Sequence, residues 1–380
     1  MNRALRTGRR GLMAGLTGLT LSRAALAATN PALLNISRYV YVPSAVAPEV
    51  GIIDIDTNRL VGQLQTGIIA QQAVVSRAAA TLIAIDGRSA SATLVDVFAG
   101  STRSVALPAP AQRLTVSANG QFVAATDMTG GTITVIDLAE GEVGQRISGL
   151  PPVRDTMFGE RDTVLYVATE RDGDIGVVDL ASGVIARRIA AFPPGSAGIA
   201  ALARTPDGRR LLALPQGGGP ISLLDPAGDT PAGRLAAGTG TQGVFPSGAG
   251  NYLLVPDSAA ATLEIFRTAN PASPVSLPGA EAVVGVYTTW LDSVAFMPSI
   301  ARRSVLVYDL DAMRHVGNIS LRGTPVLGAV TADSRTLYLP VSDPPSVQVL
   351  DGETRTITAA IDLPHRPLAA LIAGGSGLCH

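Results

Sequence analysis

QFVAATD at 121–127, GTITVIDL at 131–138 and VGQRISGL at 143–150 are three short apolar runs, the last two separated by the turn AEGE at 139–142, and a fourth run follows. Their β-branched content, and turn residues at intervals of about ten, predict antiparallel strands with short connections. The pattern returns along the chain. An apolar run closes on aspartate at Asp54, Asp96, Asp137, Asp179, Asp225, Asp309 and Asp351, with Arg267 in the one remaining slot, at spacings of 41 to 46 residues. Four strands in such a period is the size of one propeller blade. Eight registers therefore predict an all-β propeller of eight four-stranded blades, with seven as the alternative count.

The turns carry their own signals. SANGQ at 117–121, TPDGRR at 205–210 and TADSR at 331–335 occupy matching places in three repeats, where Gly, Asn and Asp tolerate the backbone a tight turn needs. The recurrent aspartate is read as structural. At a strand end its carboxylate accepts backbone N–H groups and starts the turn, whereas an active site does not recur in every repeat.

The order of an apolar YVYV (39–42) or LYVA (165–168) strand, a loop, a V-x-V-I-D run and a small-residue turn resembles the YVTN-repeat family of exported β-propellers, over essentially the whole chain beyond the leader. The chain departs from the family at the tetrapeptide, where Tyr39, Val40, Tyr41 and Val42 are followed by Pro43 and Ser44. Proline follows the same strand as Pro215, Pro256, Pro298 and Pro340, which suits a strand end because it has no N–H to give a ladder. The resemblance implies that each repeat hands its last strand to the next blade as the innermost one. LAALIAG at 368–374 then closes the ring in the first blade, which removes open sheet edges.

Residues 1–27 hold Arg9 and Arg10, the apolar GLMAGLTGLTL and an Ala25-Leu26-Ala27 cleavage site, the order of an export signal. The arginine pair resembles a twin-arginine leader, with a general secretory leader as the alternative. No later run approaches the roughly 18 apolar residues that cross a bilayer, so the expectation is a periplasmic or secreted protein with no membrane span. Residues 28–380 are read as one domain.

All 29 basic residues are arginine, so lysine chemistry is excluded: no Schiff base, no lysine general base, no phosphate-loop lysine. Without the leader, 24 basic residues face 30 acidic ones, which argues against nucleic acid as a partner. The single cysteine, Cys379, precludes an intramolecular disulfide, and no C-x-x-C-H for covalent haem is present. Cys379 and His380 form a terminal pair that is either a ligand set or a frayed tail. Gly238, Gly240 and Gly243 spell G-x-G-x-x-G, but strand follows them where a dinucleotide site needs a helix. No G-x-S-x-G elbow occurs, and three histidines do not suggest a metal centre. With Trp290 as its one tryptophan, the chain lacks the motifs of quinoprotein, WD-repeat and sialidase propellers.

The expected site is the channel mouth, where inner strands enter about 17 residues after each register position: Gln71, Arg113, Arg154, Ser196, Gln242, Val284, Val326 and Leu368. The first five are polar. Arg113 and Arg154, with Gln71, Gln242, Asp155 and Arg366, form an arc suited to a carboxylate or phosphate, facing an apolar half. The alternative is a rim that only meets solvent. His365 stands at the same mouth, while His315 is assigned no role.

Three functions follow. A binding or accessory module, taking a partner protein or small anionic ligand at the mouth, needs no catalytic residues, metal or cofactor. A protein of redox-cofactor (haem-d1-like) binding or biosynthesis is the second, since the repeat count is similar to that of the haem-d1 propellers of nitrite reductases and their related biosynthetic proteins. The third is a propeller hydrolase or lactonase, for which the inner positions supply little.

Overall fold

A computed structural model describes residues 35–159, 161–171 and 173–373. The expected leader and cleavage site, and the Cys379-His380 pair, lie outside the described residues. Eight sheets of four antiparallel strands form a ring, so the count of eight holds. The 32 strands are numbered in chain order. Blade 1 combines β1 (Tyr39–Pro43), β2 (Glu49–Asp54) and β3 (Arg59–Gln65) with β32 (Leu371–Ile372), which pairs antiparallel with β1 and closes the ring as expected.

The other innermost strands are β4 (Gln72–Ser76), β8 (Arg113–Val116), β12 (Val153–Phe158), β16 (Ile199–Arg204), β20 (Phe245–Pro246), β24 (Tyr287–Thr289) and β28 (Ala329–Val330), one in each of blades 2 to 8.

Middle strands are buried on both faces, which explains continuous apolar runs such as TLIAI in β5 (Thr81–Ile85). Outermost strands alternate instead: β3 shows solvent every second side chain. The apolar side chains sort into eight clusters, one in each seam between neighbouring blades. Each buried Leu, Ile or Val contributes on the order of 1.5 to 3 kcal/mol. In seven blades a bulge interrupts the pairing of third and fourth strands at one place, which sharpens the twist that fans the blades.

The register aspartates do what their position predicts. Asp54 accepts the Thr57 N–H at 2.9 Å, Asp96 those of Phe98 and Ala99 at 2.8 Å, Asp137 that of Ala139 at 2.9 Å and Asp179 that of Ser182 at 2.8 Å. Asp225, Asp309 and Asp351 repeat the contact with Ala227, Ala312 and Thr354.

Two other aspartates tie blades together. Asp162 accepts the N–H groups of Ala118 and Asn119 in blade 3, both at 2.9 Å, and Asp292 holds Ser247 and Ala249 in blade 6. Both occupy the left-handed region, with φ of 51° and 68°, which Asp tolerates better than most side chains.

Candidate functional site

A cavity of about 330 Å³ opens at the ring's centre against the inner strands of blades 3 to 8. Its polar wall holds Arg113, Asp155 and Gln242, and its apolar wall includes Leu202, Val244, Phe245, Val286 and Val330. Tyr287 and Thr288 add two hydroxyl groups.

Asp155 is 1% exposed and its oxygens are taken up. Oδ1 accepts from the Thr156 N–H at 2.7 Å and pairs with Arg113 Nη2 at 2.9 Å, while Oδ2 accepts the Leu202 N–H of blade 5 at 2.7 Å. Burial pushes the carboxyl up, opposed by Arg113 and the two amides. Arg113 is consequently anchored through one nitrogen, and its Nε is buried with no hydrogen-bond partner among the described residues.

Asp155 is one of several groups that meet an inner-strand N–H across a seam. Gln72 of β4 accepts the Leu114 N–H of blade 3 at 2.7 Å and returns a bond from its amide to the Leu114 carbonyl at 3.3 Å. In register, Gln72 faces Ile85 and Asp155 faces Ala168, equivalent places on their second strands. Further round, Tyr287 Oη accepts the Gly328 N–H at 2.8 Å, and at the closing seam the Leu327 carbonyl accepts the Ala370 N–H at 2.8 Å. Inner strands of neighbouring blades diverge too much for a full ladder, so at these seams a side-chain acceptor, or at the closing seam a backbone carbonyl, meets the inner-strand N–H instead.

The expected arc separates into two sets. Arg113, Asp155 and Gln242 line the cavity together. Arg154 instead turns out to the rim, paired with Glu170 at 2.5 Å, both residues about two-fifths exposed. Constant spacing did not place equivalent residues. Gln71, Val284, Val326 and Leu368 share one register, donating their N–H groups to second-strand carbonyls, but in blade 3 that role is Gln112's, because Asp96 and Asp137 are 41 residues apart where the repeats holding Gln71, Val284 and Val326 span 42. In blade 4 a bulge between Val153 and Asp155 expels Arg154 from the ladder.

The remaining candidates lie elsewhere on the mouth. Gln71 lines an open depression of about 660 Å³ with Asp86, Arg88 and Gln112. His365 Nε2 sits 3.0 Å from Glu49 Oε1, and Arg366 lies 3.6 Å from Asp343. His315 packs on Tyr308 with its Nε2 2.9 Å from Asn318 Oδ1, on the outermost strand of blade 7. Among the described residues no group of three His, Cys, Asp or Glu side chains is placed to hold a metal ion.

The glycines of G-x-G-x-x-G have a packing explanation. A Cβ on either Gly238 or Gly240 would overlap the buried carboxylate of Asp257, which caps its own turn by accepting the Ala259 and Ala260 N–H groups at 2.9 Å. Sequence reasoning missed Tyr287 and Thr288, which look like ordinary strand residues; the one signal for them was their place on an inner strand.

No protein-family model and no curated protein matches the chain. Among solved structures it is similar to dihydro-heme d1 dehydrogenase NirN in complex with DHE, at 13% identity and a TM-score of 0.75, covering 89% of this chain and 76% of that one. It is also similar to apo AztD from Citrobacter koseri, at 14% identity and a TM-score of 0.65, covering 89% and 98%. Kuenenia stuttgartiensis hydrazine synthase matches at 16% identity and a TM-score of 0.56, covering 74% and 95%. At these identities the likeness speaks for a distantly related propeller fold alone. Among the described residues no helix is long and apolar enough to cross a membrane.

Proposed function

We propose that the protein is an exported propeller of the YVTN-repeat kind, cut after Ala27, whose residues 28–380 form one binding or accessory domain that takes a small anionic ligand in the central cavity. The observation that carries this is the cavity's hydrogen-bonding capacity. Asp155 already accepts from Thr156, Leu202 and Arg113, Tyr287 Oη accepts from Gly328, and Thr288 Oγ1 accepts the Gly248 N–H at 2.9 Å. What remains is weighted towards donors: the rest of the Arg113 guanidinium, two hydroxyl groups and the Gln242 amide, whose two N–H donors accompany one acceptor. A carboxylate or phosphate satisfies those donors while its apolar body meets Phe245, Val286 and Val330.

The test is to purify the protein from the periplasm of its own host, extract whatever small molecule accompanies it, and titrate that molecule back. Arg113→Ala should weaken binding about ten-fold or more, and Arg154→Ala should not. Equal affinity for wild type and Arg113→Ala would move the ligand off this cavity.

A redox-cofactor role is the second reading, favoured by the fold likeness to NirN. Against it, no His, Met or Cys lines the cavity, so an axial ligand would have to come from outside it. A Soret band in the periplasmic protein would decide for this reading.

A further inference from the structure

In three successive seams, a long side chain on the outermost strand of one blade reaches across to the third-strand turn of the next. Arg103, paired in register with Leu94, donates to the carbonyls of Glu140 and Gly141. Gln145, paired with Val135, covers Gly183 so closely that a Cβ there would overlap its amide. Arg187, paired with Val177, donates to the Gly228 carbonyl and to Asp229, both at 3.0 Å.

The run of three ends at the seam between blades 5 and 6; glycine also holds this register as Gly62 in blade 1 and Gly317 in blade 7. The matching residue, paired with Leu223, is Gly233 on β19 (Pro231–Leu235), and in place of a filler there is a slot of about 330 Å³. A Cβ at Gly233 would meet nothing closer than the Leu223 side chain at 3.8 Å, so the space is open to a side chain that the sequence does not provide. Leu223 and Leu253 give the slot an apolar floor, and Arg210 and Arg234 line it as well.

Among the described residues neither arginine has a carboxylate partner within 4.0 Å, and no acidic residue lines the slot. The nearby Asp207 accepts from Thr205 Oγ1 at 2.6 Å and from the Arg209 N–H at 3.0 Å and lies 3.8 Å from the Arg209 guanidinium, while Arg210 acts on it only from beyond ion-pair distance. On the far wall Thr268 carries a buried hydroxyl without a hydrogen-bond partner. Two exposed guanidinium groups with no carboxylate within 4.0 Å, an unmet hydroxyl and an apolar floor are the complement of a compact carboxylate on an apolar body.

We propose that this slot is a second binding site, separate from the central cavity, for an amphipathic carboxylate: the charged end on Arg210 and Arg234, the apolar end on Leu223 and Leu253. The carboxylate of a free small molecule and that of a peptide C-terminus share this chemistry.

The experiment titrates the full mature chain with N-acetyl-leucine, with its neutral amide, and with a short peptide ending in a free leucine carboxylate, followed by calorimetry or NMR. Saturable binding of the carboxylates, with the amide about ten-fold weaker or more, is expected. A peptide clearly tighter than N-acetyl-leucine assigns the site to chain termini, and equal affinities assign it to free small molecules. Gly233→Arg should abolish binding by placing in the slot the side chain that Arg103 and Arg187 supply elsewhere, with unchanged circular dichroism. Arg113→Ala should leave it intact. No saturable binding, equal binding of acid and amide, or undiminished binding by a folded Gly233→Arg protein would each overturn the proposal.

Discussion

The Asp155 carboxylate in blade 4 accepts the backbone N–H of Leu202 in blade 5 at 2.7 Å, in the register where Gln72 of blade 2 accepts that of Leu114 in blade 3. One contact fastens a seam with an amide; the other does so with a charge that also aims Arg113. Structure and site are thus coupled through a single side chain.

Removing that carboxylate has a larger expected effect than removing the amide. Asp155→Ala leaves Arg113 and two amide donors without their acceptor, a loss of about 3 to 5 kcal/mol. Gln72→Ala should cost about 1 to 3 kcal/mol. Urea unfolding midpoints of the two variants give the comparison, and equal losses would contradict the coupling.

Gly238→Ala and Gly240→Ala should each destabilise by about 1 to 3 kcal/mol through overlap with Asp257. In the double variant with Asp257→Ala much of that loss should be restored. Thermal unfolding of the singles and doubles checks it.

Acid should loosen the seam between blades 7 and 8. The Ala312 N–H holds the Asp309 carboxyl below its ordinary value, burial opposes this, and Arg355 at 3.0 Å adds to the lowering. With the folded pKa below the unfolded one, the contribution is complete above about pH 4 and is lost as pH falls through the folded value. Asp309→Asn keeps an acceptor but no charge, so its stability should fall less steeply in acid than wild type does, measured by urea midpoints across the acid range.

Ring closure rests on a short strand, since β32 has two residues. Ending the chain at Pro367 removes it together with the Ala370 N–H bond to Leu327, and leaves inner edges open on both flanks. The expected outcome is a lower unfolding temperature and association into larger species, read by calorimetry and light scattering.

If the expected leader is cut after Ala27, the intact mass of protein recovered from the periplasm should correspond to a chain starting at Ala28. Replacing both Arg9 and Arg10 with lysine should block export if the leader is of the twin-arginine type. Normal export would assign it to the general secretory route.

The eight-fold repeat, the strand order and the turn role of the register aspartates were legible in the sequence because each depends on residues within about 42 positions of one another. Closure at the C-terminus was legible through the family resemblance and the topology it implies. The site was only partly so. Arg113, Asp155 and Gln242 converge, but counting from the register aspartates paired Arg113 with Arg154, which a bulge turns to the opposite environment.

The chain's local chemistry determined the scaffold: alternating runs and turns repeated eight times bury the sheet faces against their neighbours in a closed ring. Tertiary structure alone decided which polar side chains meet. A one-residue difference in spacing, or a single bulge, changes the direction of a side chain without disturbing the repeat, and the open slot beside Gly233 exists only because two blades, distant in detail from their sequence pattern, stand side by side.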